Sequence, residues 1–194
     1  MPIKTFFLHD PLSSSDINTY CYNNGLKYVT HYIPPDSNGF RVFGCFTSEF
    51  DAYRIVFNRI FSYDPSVTPT CSMNLVTGTN TVYSGAAYYS AGVATTPASV
   101  AVTKFANATT SWDMTRTSIN GSRNSGGVID ILVRSTSSQP SYSAMMVDAS
   151  STSNIRAWSQ SGFIQNNAVY TGFTLTHPTI ALFGEVYVYG YRKA

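Results

Sequence analysis

Few side chains in this sequence are suited to chemistry, and those few stand far apart. Histidine occurs only at His9, His31 and His177. None has a carboxylate at ligand spacing, so neither a histidine metal site nor a histidine general base is indicated. Glu49 and Asp51 would share one side of an extended segment, as the acid pair of a glycoside hydrolase does. Any surface turn yields such a pair, however, and nothing around these two adds a second catalytic feature. The phosphate-binding loop, the dinucleotide fingerprint, the serine-hydrolase elbow and the zinc-protease helix are all missing. Cys21, Cys45 and Cys71 are odd in number and lack a CxxC spacing, which points to free thiols ahead of a metal site. No catalytic, cofactor-binding or metal-binding residue is assigned.

Two places have the composition of a sugar contact. Trp112 precedes Asp113, and Arg156 lies two residues from Trp158. An indole face beside a hydrogen-bonding group suits a pyranose ring. The same tryptophans equally suit a hydrophobic core, which is the commoner place for an indole.

Composition constrains what must position these residues. The 194 residues fit one domain, and 43% hydrophobic content supports a real core. Charged residues make up only 11%, against roughly 25% in an average soluble domain. Aromatic residues reach 14%, with 14 Tyr and 12 Phe. Tyr and Phe favour strands, while Ser, Thr, Asn and Gly supply turns and wet sheet faces. Such a surface relies on hydroxyls and amides, which suits a protein packed into a crowded assembly. The net charge of +2 is spread along the chain, without the basic run of a nucleic-acid partner. No stretch of about 18 apolar residues is present, so no membrane-spanning helix is expected. The opening residues are too short of apolar side chains for a secretory signal, so they are expected to stay on the mature protein.

Along the chain, residues 1–25 show no sustained period and end on the turn signal Asn23-Asn24-Gly25. From residue 26 to 194, short strand-like runs alternate with Gly, Pro, Asn and Ser clusters. These runs are 26–33, 40–46, 71–75, 99–105, 112–119, 128–134, 143–148, 154–158, 168–175 and 179–192. The pattern predicts an all-β chain, a single antiparallel β-sandwich with a short N-terminal arm. Residues 50–61 fit either period: Phe50, Tyr53, Phe57 and Ile60 have helical spacing, but β-branched and aromatic content favours a strand. The final segment alternates Val186 and Val188 with Tyr187, Tyr189 and Tyr191, so both faces should be covered. A subunit interface along the three tyrosines is one account of this, and a packed loop is the other. In the arm, Phe6, Phe7 and Leu8 are large apolar side chains outside any period. They are expected to dock on a sister subunit or another protein; an edge strand of the sandwich is the alternative.

The order of these segments resembles a family of bacteriophage virion proteins, of tail-fibre, appendage or head-decoration type, with a jelly-roll-like sandwich. The likeness runs over residues 40–192. It is carried by Thr47-Ser48-Glu49-Phe50-Asp51, by Met73-Asn74-Leu75-Val76-Thr77-Gly78, by Gly127-Val128-Ile129-Asp130-Ile131-Leu132, by Thr171-Gly172-Phe173-Thr174-Leu175 and by the ending Val188-Tyr189-Gly190-Tyr191-Arg192. The family's Asn-Gly-Asp step and Gly-Ile ending are absent here. The resemblance implies a non-enzymatic virion subunit without cofactors. Self-association is expected, as a trimer, together with contacts to a major capsid protein or a tail protein. A head-decoration or cement role is favoured because no heptad or short repeat forms a fibre shaft. A tail-fibre or baseplate module that binds a host-surface glycan is the alternative.

Overall fold

The computed structural model describes residues 25–34, 39–61, 71–78, 80–96, 99–103, 108–114, 125–133, 139–151, 154–177 and 181–192. Phe6, Phe7 and Leu8 of the expected arm lie outside these residues. The described chain forms twelve strands: β1 (Leu26–Tyr32), β2 (Gly39–Val42), β3 (Phe50–Phe61), β4 (Ser72–Thr77), β5 (Tyr88–Thr96), β6 (Ser99–Thr103), β7 (Trp112–Asp113), β8 (Ser125–Leu132), β9 (Ser141–Ser151), β10 (Asn154–Ile164), β11 (Tyr170–Thr176) and β12 (Phe183–Arg192). They pair antiparallel throughout, in an eight-stranded sheet of order β1-β12-β3-β8-β9-β10-β5-β6 and a four-stranded sheet of order β2-β11-β4-β7. The all-β sandwich expected from the turn spacing is the observed architecture.

The pairing is nested. β1 pairs with β12, β2 with β11, β3 with β8 and β4 with β7. A chain folded back on itself in this way and wrapped into two facing sheets is a jelly roll. Two hairpins are added to it. β9–β10 enters between β8 and β11, β5–β6 enters between β4 and β7, and all four strands extend the same sheet beyond β8. One sheet is therefore twice as wide as the other.

Strand periodicity places the core. Along β3, Tyr53, Ile55 and Phe57 are buried while Arg54 and Val56 are half-buried on the opposite face. The same alternation gives Ile129 and Ile131 on β8, Tyr142, Ala144 and Met146 on β9, and Val186 and Val188 on β12. From the smaller sheet come Phe40, Met73, Leu75, Trp112, Phe173 and Leu175. The sheets meet in tilted and edge-on ring contacts, Phe57 with Phe173 at 6.3 Å and Trp112 with Tyr142 at 4.3 Å between centroids. Burying each such side chain stabilises the fold by roughly 1.5–3 kcal/mol.

Residues 50–61 form a strand, which resolves the ambiguity in their period. Its far end departs from regular pairing: Arg59 takes φ 54° and Gly184 on the neighbouring strand φ 127°, where register shifts occur in both pairings of β3. β2 is shorter than its expected span because Gly44, at φ 66°, turns the chain. Cys45 and Phe46 are still buried beyond that turn. β5 was not foreseen in the sequence. Its core side carries Ser90, Gly92 and Ala94 after Tyr88, too small a set to register as a hydrophobic run.

Candidate functional site

The tryptophans proposed as sugar contacts are core residues. Trp112 is 0% exposed and Trp158 5%, so neither presents an indole face to solvent. Trp112 packs edge-on against Tyr88 and donates its Nε1–H to the Tyr89 carbonyl at 3.2 Å. Asp113 beside it offers its backbone carbonyl to the buried Gln160 amide at 3.1 Å, a tie between the two sheets. Arg156 lies on β10 with its side chain outside the described residues. With both indoles buried, neither Trp112 nor Trp158 offers the stacking face that a sugar contact there would need.

Of the hydrolase-like pair, Glu49 is exposed and ion-paired with Lys27, while Asp51 is the second residue of β3. His177 is buried, and burial pushes its imidazole pKa down. His31 stacks on Tyr187 at 4.4 Å. Among the described residues, no group of three His, Cys, Asp or Glu side chains could hold a metal ion. Cys45 and Cys71 are buried thiols, and burial raises the Cys45 pKa to about 12. Such a thiol is not a nucleophile near neutral pH.

The concentration of unusual surface is on the outer face of the wide sheet. Cross-strand register sorts its side chains into rows. One row runs Tyr191, Ala52, Leu132, Ser141, Phe163, Tyr89 from β12 to β5. The next runs Tyr189, Arg54, Asp130, Ser143, Ser161, Ala91, and the third Tyr187, Val56, Val128, Met145, Ser159, Val93. The third row and Val147 beyond it form an apolar patch: Met145 is 72% exposed, Val147 50% and Val93 37%. Isolated exposed apolar residues are ordinary, but a contiguous set marks an interaction surface.

The three tyrosines of β12 lie on this face, half-buried and one strand in from the edge, which β1 forms. Tyr189 meets Tyr28 edge-on at 6.0 Å. Tyr187 donates its hydroxyl to Glu185 at 2.8 Å, a bond that raises the pKa of Tyr187 and lowers that of Glu185.

The charged centre of the face is a closed triad. Arg54 grips Asp130 with two parallel bonds, Nε to Oδ1 at 2.8 Å and Nη2 to Oδ2 at 2.7 Å. Tyr191 donates to Oδ1 at 2.6 Å. The guanidinium bond lowers the Asp130 pKa, with the Tyr191 bond adding to it. Burial and then the Asp130 bond raise Tyr191 to about 12. Fork geometry and a hydroxyl donor satisfy the carboxylate fully, so the triad is a fixed neutral anchor and not a poised acid or base.

Around it, two adjoining depressions of about 470 and 310 Å³ share Ser141 and Tyr142. At the far end, Phe163 and Tyr89 stand stacked, 4.8 Å apart and 5° from parallel, with the Tyr89 hydroxyl held by Gln165.

The chain matches no protein-family model, no curated protein and no solved structure. What the sequence missed here has a simple reason. Phe163, Tyr89, Asp130 and Arg54 are scattered over residues 54–163, and only the strand order, itself not legible from periodicity, makes them neighbours.

Proposed function

We infer that this chain is a structural subunit of a virus particle, acting by association with copies of itself and with other particle proteins and not by catalysis. The observation that carries this reading is the outer face of the wide sheet, where Met145, Val147 and Val93 stand exposed beside Val56 and Val128. A soluble monomer gains nothing from such a patch, whereas an interface core is built from apolar side chains of this kind. Sparse charge supports the same reading, since 11% charged residues leave little repulsion between like copies. The jelly-roll strand order is compatible with many functions and by itself argues for none.

The bacteriophage attribution rests on the ordered motifs of residues 40–192. Within a particle, a head-decoration or cement position suits a single sandwich without a repetitive shaft, and a closed trimer is the association expected. Size-exclusion chromatography with light scattering tests the core of the proposal. A mass of three chains at micromolar concentration is expected, falling to one chain in the double variant Met145→Glu/Val147→Glu. A parent protein that stays a single chain up to millimolar concentration refutes it.

A further inference from the structure

The depressions over Ser141 form one groove running across the strands, from the stacked rings of Phe163 and Tyr89 to Tyr191. Between Phe163 on β10 and Tyr191 on β12 lie four strand spacings, roughly 19 Å. The floor is made of Ser141, Ser143 and Ser161 set among Ala91, Ala52 and Leu132, so the groove is shallow, with hydroxyls between apolar side chains. Tyr89 covers one face of the Phe163 ring. The other face looks across Ser141, its neighbour on the opposite side, and Phe163 is 40% exposed.

These features select the occupant by chemistry. A flat aromatic face above a floor of hydroxyls complements a pyranose ring, whose axial C–H face stacks while its rim hydroxyls exchange hydrogen bonds. Arg54 and Asp130 neutralise each other through a bidentate bond, so nothing in the groove calls for a charged ligand. An extended peptide is disfavoured, because strand addition needs a free sheet edge. The groove instead crosses the middle of the sheet, where backbone groups on β8, β9 and β10 are already paired on both sides. A lipid chain would need a deep apolar cleft, not a shallow hydroxylated one.

We propose that the groove between Phe163 and Tyr191 binds a neutral oligosaccharide, with Phe163 as the stacking platform and Ser141, Ser143 and Ser161 as hydrogen-bonding floor. The site is distinct from the exposed Met145–Val147 patch, and the proposal does not depend on self-association.

The test is direct binding by the purified full chain, using isothermal titration with maltohexaose, cellohexaose and chitohexaose and a printed array of neutral and acidic glycans. Binding to at least one neutral glycan is expected. Phe163→Ala should weaken it about tenfold, the equivalent of one stacked ring. Ser161→Leu fills the floor and should abolish it, while leaving the melting temperature unchanged because the side chain is exposed. Ile33→Ser, on an exposed position away from the groove, should bind as the parent does. The proposal is overturned by silence across all neutral glycans, by a preference for acidic ones, or by neutral-glycan binding that survives both groove variants. Capture of peptides from a peptide array, lost in Phe163→Ala, would equally overturn it.

Discussion

Tyr191 on β12 and Asp130 on β8 are not strand neighbours, yet their side chains are joined at 2.6 Å over the intervening β3. The small Ala52, cross-strand partner of Tyr191 on β3, leaves room for the ring to lie over that strand, and Arg54 two residues on grips the same carboxylate. Three strands are thus locked side by side by one carboxylate.

The lock makes acid stability depend on Asp130. Its folded-state pKa lies below the ordinary carboxylate value, so its contribution is present above about pH 4 and is lost as pH falls through the lower folded value. Because the side chain is 36% exposed, solvent screening holds the contribution to about 1 kcal/mol or less. Thermal melts of Asp130→Asn against the parent should show a gap at pH 6 that closes as the pH falls below the ordinary carboxylate range. Tyr191 has the opposite sign: its raised pKa stabilises below about pH 10 and the effect is lost as pH rises toward about 12.

Two buried tyrosines should respond oppositely to loss of the hydroxyl. Tyr88 accepts from the Leu75 backbone N–H at 3.0 Å and donates to the Tyr83 carbonyl at 2.8 Å, standing in for a ladder partner beside β4. Tyr88→Phe leaves that N–H buried and unpaired, at a cost of about 1–3 kcal/mol in denaturant melts. The Tyr170 hydroxyl is buried and finds no hydrogen-bond partner among the described residues. Tyr170→Phe should be neutral or slightly stabilising.

Gly190 carries a packing constraint. On the core side of β12, a methyl group at this position would overlap the ring of Phe50. Gly190→Ala should destabilise by about 1–3 kcal/mol, and Gly190→Val by more, through displacement of that ring. The companion change Phe50→Leu should recover part of the loss, a coupling that a double-mutant cycle measures.

Trp112 fills the centre of the core between Tyr88 and Tyr142. Trp112→Ala should cost about 3–5 kcal/mol. Any loss of glycan binding should then track unfolding and vanish at temperatures where the variant is fully folded, because the indole makes no surface.

Much of the fold was legible because strand periodicity is a local signal. Alternation in the final segment set Val186 and Val188 on one face, and both are buried. β5 escaped notice since its core side is built of Gly92 and Ala94, which carry little hydrophobic signal. The site was not legible. Tryptophan next to Asp or Arg is a local pattern, but whether an indole faces core or solvent depends on which sheet covers it. Phe163 and Tyr89 become a stacked pair only through the β10–β5 pairing, a long-range fact that no window of sequence contains.

The place of β12 between β1 and β3 has a consequence for how the chain is made. Leu26 pairs with Tyr191, and Ala52 with the same Tyr191 from the other side. During synthesis, β1 and the facing edge of β3 therefore wait unpaired until Phe183–Arg192 has left the ribosome. Non-local pairing of this kind is slow and exposes unpaired backbone to other chains. The half-made protein thus offers its neighbours two sticky edges until β12 arrives, and a nascent chain that stops short of Phe183 should stay soluble only while a chaperone holds it.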